Sequence, residues 1–187
     1  MQSIYNSDSQ RDLISFHEAM NKLFYLLTFV VIVPFLLAAQ DIPGWRAPAP
    51  SELGADIEWR APDPDRYLVA KADFDGDGKE DEARLLINDR ENKTGLFVFL
   101  SSRQDKPPLL VETMDDKHWI EVAGISVAKA GKYKTKCGKG YWQCEKGVLW
   151  GFTLKKPAID LFRADSANLF LIWDNKSGKF GRIWVSD

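Results

Sequence analysis

The chain has 187 residues, 25 Lys and Arg against 27 Asp and Glu, and a formal net charge of −2. Such a balance supplies no basic field and gives no reason to expect general nucleic-acid binding. All seven tryptophans lie after residue 39, enough large apolar surface to build a substantial core there.

Taken in order, the first 39 residues read as an export signal rather than as part of the fold. Leu23 to Ala39 contains no charged residue, follows Lys22 and ends on Ala38-Ala39. This is the charged, apolar, small-residue order of a secretory segment. Met20 would open a compact signal, which makes residues 1–19 an over-long start. The chain is therefore expected to be periplasmic or secreted, with cleavage after Ala39. The alternative is a retained membrane anchor. Against it, the apolar run is shorter than the ~20 residues of a spanning helix and contains Pro34. Against cleavage, Leu37 is less favourable than a small residue at the third position before the cut. The segment carries Arg11 and Lys22 against Asp8, Asp12 and Glu18, so its removal leaves a net −1.

Residues 40–187 amount to about one ordinary domain. Residues 40–65 hold Pro43, Pro48, Pro50, Pro62 and Pro64. Repeated proline prevents a regular central strand or helix, so this is an extended lead-in, with Asp56 to Trp59 pinned on the core. Trp45 and Trp59 read as packing residues rather than ligand-facing ones. The folded β domain is placed at residues 66–187.

Its first feature is Asp73-Phe74-Asp75-Gly76-Asp77-Gly78-Lys79-Glu80-Asp81. Carboxylates stand at loop positions 1, 3, 5 and 9, with glycine at position 6. Ca²⁺ takes six to eight oxygens at about 2.3–2.6 Å, and alternate residues of a tight loop point inward to supply them. Gly78 permits the sharp turn. Lys79, at position 7, offers its backbone carbonyl. An EF-hand would close with Glu at position 12, where this chain has Arg84. The flanks, Arg66 to Ala72 and Ala83 to Ile87, read as short strands rather than helices. This strand–loop–strand unit resembles the FG-GAP/VCBS type of repeat, whose D-x-D-x-D-G-x-x-D loop joins two strands of a propeller blade. The resemblance covers about residues 66–88, in a single copy. It implies Ca²⁺ on Asp73, Asp75, Asp77, the Lys79 carbonyl and Asp81. The alternative is a solvated acidic turn.

Short apolar runs separated by turn residues follow. Leu96 to Leu100, Leu109 to Glu112, Trp119 to Val127 and Val148 to Leu154 are strand candidates. Asn168 to Trp173 and Phe180 to Val185 flank Asp174-Asn175-Lys176-Ser177-Gly178 and predict a hairpin. Pro157 to Asp165 offers one short turn of helix. The expected fold is mainly β, a single antiparallel sandwich or open barrel.

Cys137 and Cys144 are the only cysteines. In an exported chain an even pair is most simply a disulfide, and no cluster of soft ligands surrounds it for zinc. Lys129, Lys132, Lys134, Lys136 and Lys139 interleave with Tyr133, Tyr141 and Trp142 around it. Cations and aromatics on a stapled loop suit an acidic protein partner or a glycan, with Lys136, Lys139, Tyr141 and Trp142 as the contact residues. The alternative is a charged hairpin tip that only keeps the protein soluble. The C-terminal half resembles that of small uncharacterised exported bacterial proteins, and no activity comes with that likeness.

No nucleophile context accompanies His118, the one histidine after residue 39, and Asp115-Asp116 reads as an acidic turn. The expectation is an exported, non-enzymatic, calcium-stabilised binding module. An inhibitor or immunity-like protein acting on an envelope enzyme fits that class. The alternative is an envelope hydrolase using carboxylates near the metal. Membrane contact is expected only if the apolar segment stays as an anchor.

Overall fold

The computed structural model describes residues 42–55 and 58–186. The export segment, the cleavage position and Asp56-Ile57 lie outside the described residues. Among the described residues no helix is long and apolar enough to cross a membrane.

Among the described residues ten strands build the fold: β1 (Val69–Ala72), β2 (Asp81–Asn88), β3 (Lys93–Phe99), β4 (Leu109–Met114), β5 (Ala123–Ala128), β6 (Gly131–Lys134), β7 (Gly151–Leu154), β8 (Ala158–Arg163), β9 (Asn168–Asp174) and β10 (Lys179–Trp184). The first four pair in sequence order as one antiparallel sheet. The second sheet runs β5-β8-β9-β10, and β6-β7 form a separate hairpin. Every pairing is antiparallel and neither four-stranded sheet closes into a barrel. The molecule is thus the sandwich rather than the barrel.

The strand period of two explains the core. Ala83, Leu85 and Ile87 of β2 are buried on one face, opposite Val98, Leu96 and Thr94 of β3. Facing them come Ile125 of β5, Ile159 and Leu161 of β8, and Leu169 and Leu171 of β9. The edges also meet. The Ile125 amide donates to the Tyr67 carbonyl at 2.8 Å beside β1, and Arg182 of β10 pairs with Glu112 of β4 at 2.9 Å. A second apolar layer lies on the outer face of the second sheet. There Ala158, Phe170 and Val185 are covered by Tyr133, Phe152 and Leu154 of the hairpin.

The lead-in is pinned at two points. Arg46 exchanges backbone hydrogen bonds with Ile87, extending the β1 side of the first sheet, and Leu53 is buried in the core. Trp45 packs edge-on to Phe97 with ring centres 4.9 Å apart, over Gly95, where any Cβ would strike its ring.

Four expectations change. Pro157 to Asp165 is not a helical turn: Ala158–Arg163 is an inner strand, because Ile159 and Leu161 alternate onto the core between two neighbours. The first strand begins at Val69, since Arg66 and Tyr67 adopt φ of +55° and +56°. Lys117–Glu121 is a 3-10 turn capped by the Asp116 carboxylate, so the strand predicted from Trp119 begins at Ala123. Val148, Leu149 and Trp150 precede β7 as exposed chain.

Candidate functional site

The acidic loop joins β1 to β2 directly, as a strand–loop–strand unit. Phe74 is fully buried in the core, so its neighbours Asp73 and Asp75 turn the other way. Gly76 and Gly78 sit at φ of +83° and +86°, a left-handed backbone that glycine adopts without a Cβ clash. Asp73 accepts from the amides of Gly76, Asp77 and Gly78 at 2.6, 3.0 and 2.9 Å, which curls the loop around its carboxylate. Asp81 returns at the start of β2. It accepts from the amides of Phe74, Asp75 and Ser101 at 2.8, 3.2 and 2.8 Å.

One carboxylate oxygen each from Asp73, Asp75 and Asp81 lies within 4.8 Å of the others, a group that could hold a metal ion. An all-oxygen donor set suits a hard cation. Asp81 is buried, and that desolvation raises its carboxyl pKa, a cost that a bound cation would offset. Asp77 stands apart from this group: it is exposed and accepts from the Ser101 hydroxyl at 2.9 Å and the Lys79 amide at 2.8 Å. Lys79 is exposed and joins the loop through that amide. Lys156, which follows β7, closes the site from the second sheet. Its ammonium donates to the Asp75 carbonyl at 2.7 Å. Sequence reasoning missed it because 81 residues separate the two partners.

Cys137 and Cys144 form a disulfide, with sulfurs 2.02 Å apart. The bond closes a loop that follows β6. Cys137 is buried beside Thr135, whose hydroxyl donates to the Leu149 carbonyl at 2.8 Å. Tyr141 and Trp142 are exposed. The Lys136 ammonium lies 4.5 Å from the Trp142 ring centre and 5.5 Å from that of Trp184. Lys139 belongs to the same loop, its amide donating to the Thr135 carbonyl. Among the described residues, six of the eight exposed large apolar side chains gather in this region: Tyr141, Trp142, Val148, Leu149, Trp150 and Trp184. The last four were not singled out from sequence. Val148 to Trp150 resembled the start of a buried strand, and Trp184 belongs to a hairpin that looked structural.

His118 is exposed, and its Nδ1 lies 2.6 Å from a Glu121 carboxylate oxygen within the 3-10 turn. Asp116 caps that turn, accepting from the His118 amide at 2.9 Å. Trp59 is half-buried and stacked on Tyr67, and the Arg60 guanidinium lies 4.1 Å from its ring centre. Comparison with known protein families, with curated proteins and with solved structures gives no match to this chain.

Proposed function

We propose that this chain is a non-enzymatic interaction module, exported and stabilised by Ca²⁺ on its acidic loop, that seats the stapled loop on an envelope protein. The observation that carries the reading is the apolar cluster around the disulfide. Exposed aromatic and aliphatic side chains concentrated in one region mark contact surfaces, because scattered single residues need no partner but a contiguous patch does. Trp and Tyr also dominate interface energetics.

The fitting occupant is an acidic protein surface with an apolar pocket. Lys136 lies against the Trp142 and Trp184 rings, Lys139 and Lys146 belong to the same stretch, and Glu145 is the one acid within residues 136–150. Charge of this kind speeds encounter, and buried rings then hold the complex. An inhibitor or immunity-like role fits a loop stapled by a disulfide with exposed rings. The acidic loop sits in this reading as a structural device, since protein ligands come from one tight turn anchored on Phe74.

The test uses the full chain as bait on envelope extract, beside a Trp142→Ser/Trp150→Ser variant. A retained protein that is lost with the variant and released by moderate salt supports the reading. Equal retention by both baits would sink it.

A further inference from the structure

We propose that a cleft on the outer face of the second sheet binds a small organic ammonium, which Asp160 holds against the rings of Trp59, Tyr67 and Phe162. The site is separate from the acidic loop, and the proposal stands or falls independently of the stapled-loop reading.

The cleft has a volume of about 440 Å³, within the roughly 300–1,000 Å³ of small-molecule sites. Its polar floor is built by register. Ser126 of β5 stands opposite Asp160 of β8, and Asn168 opens β9 alongside. The Asn168 amide nitrogen donates to both Asp160 oxygens, at 3.0 and 3.2 Å, and the Ser126 hydroxyl reaches one at 3.4 Å. Asn168 is itself oriented, because the Ser186 hydroxyl donates to its side-chain oxygen at 2.8 Å. A carboxylate accepts about four hydrogen bonds, so capacity facing the cleft remains. Among the described residues no ion pair reaches Asp160. Burial raises its pKa, and the bonds from Asn168 and Ser126 and the more distant charge of Lys139 offset this only in part. A half-buried carboxylate with no ion pair either takes up a proton or accepts a cation from a ligand, and a ligand ammonium in the cleft would hold it ionised.

The walls are aromatic. Trp59 stacks on Tyr67 with centres 5.9 Å apart, and Phe162 meets both edge-on at 5.8 and 5.3 Å. The Arg60 guanidinium already lies 4.1 Å from the Trp59 ring centre, so an ammonium beside Asp160 is left the Tyr67 and Phe162 rings, whose electron-rich faces attract it as well as the carboxylate does. A neutral sugar would use the rings but would leave the anion unpaired.

The wall is also held in place. Arg60 is buried next to Trp59 and donates to the carbonyls of Arg66, Ile120 and Ala123. Those bonds fix the turn that carries Tyr67 at φ +56°, and Asp165, across the cleft, has the same φ of +56°. Non-glycine residues in this conformation recur at ligand clamps, where the surrounding structure must enforce them.

The test is an NMR titration of the isotope-labelled full chain with benzylammonium and, separately, with its neutral isostere benzyl alcohol. Saturable shifts at Ser126, Asn168 and the Trp59 indole are expected, with the ammonium at least about tenfold tighter than the alcohol. Asp160→Asn should erase that ratio. Equal affinities, no saturation at tens of millimolar, or binding of N-acetylglucosamine in place of the ammonium would overturn the proposal. Should Asp160→Asn fail to fold, the ratio measured on the unaltered protein decides alone.

Discussion

The Lys156 ammonium lies 2.7 Å from the Asp75 backbone carbonyl and so ties the second sheet to the acidic loop of the first. The same nitrogen donates to Asn175 in the β9–β10 turn at 2.8 Å, which makes it a three-way anchor. It also places a fixed positive charge beside the carboxylates proposed to hold Ca²⁺. Burial lowers the Lys156 pKa, while Asp75, Asp73, Asp81 and Asp174 pull the other way.

Two opposite effects follow from removing that charge. Lys156→Met deletes the anchor and should lower the melting temperature in chelator. It also deletes a repulsion toward an incoming dication, so the stabilisation gained on adding Ca²⁺ should grow. Melting curves of both proteins, with chelator and with millimolar Ca²⁺, measure the two effects separately. A smaller calcium increment in the variant would show that Lys156 assembles the site rather than opposing the metal.

The acidic loop predicts a graded response among its own carboxylates. A cation that binds only the folded state stabilises by RT ln(1 + [L]/Kd), about 2.7 kcal/mol at a hundredfold excess over Kd. Asp73→Asn and Asp75→Asn should each abolish most of that gain, because both supply oxygens to the converging group. Asp77→Asn should retain more of it, since Asp77 turns to Ser101. Each variant is compared with itself, with and without Ca²⁺, so that any loss of loop hydrogen bonds cancels. Identical behaviour of all three would place Asp77 among the ligands.

Asp160 sets a pH dependence whose sign is fixed by its burial. Its folded pKa is raised above the ordinary value of 3.8. Between those two values the folded state binds more protons than the unfolded chain, so stability falls as pH rises through that window. Asp160→Asn removes the titration and keeps an oxygen for the Asn168 amide. Its stability, measured by denaturant unfolding, should decline less from pH 4 upward and exceed that of the parent at neutral pH. A steeper decline in the variant would mean that the ionised carboxylate is favoured in the fold.

How much of this was legible depended on how local each feature is. The acidic loop could be read because its ligands, its glycines and Phe74 lie within nine residues. The β9–β10 hairpin announced itself through one turn between two apolar runs, and the disulfide through the only two cysteines. Ala158–Arg163 was misread because its apolar residues fall next to one another around Asp160, in Ala158-Ile159 and Leu161-Phe162, a pattern that a short helix also can show. β6 was missed because its partner β7 comes after the whole stapled loop, and two of its four residues are lysines. The cleft was illegible for a different reason. Ser126, Asp160 and Asn168 become neighbours only through sheet register, Trp59 joins them from a separate 3-10 turn, and no spacing in the chain records either.

The stapled loop gives the sharpest separation between a surface role and a packing role. Trp142 is 52 % exposed and Trp150 72 %, so truncating either removes little that is buried. Trp142→Ala should therefore change stability by no more than about 0.5 kcal/mol, the usual range for surface positions. Phe170→Ala is the contrast. Phe170 is buried under the hairpin against Tyr133 and Phe152, and its loss should cost about 3–5 kcal/mol. The disulfide stands between these extremes. Cys137→Ser with Cys144→Ser frees a short loop and should cost near the low end of ~2–4 kcal/mol. It should also weaken partner capture, because each side chain then has to be immobilised on binding, at about 0.5–1.5 kcal/mol apiece. Capture that survives Trp142→Ala unchanged, or a large loss of melting temperature in that variant, would remove the loop from the binding surface and return its rings to the role of packing.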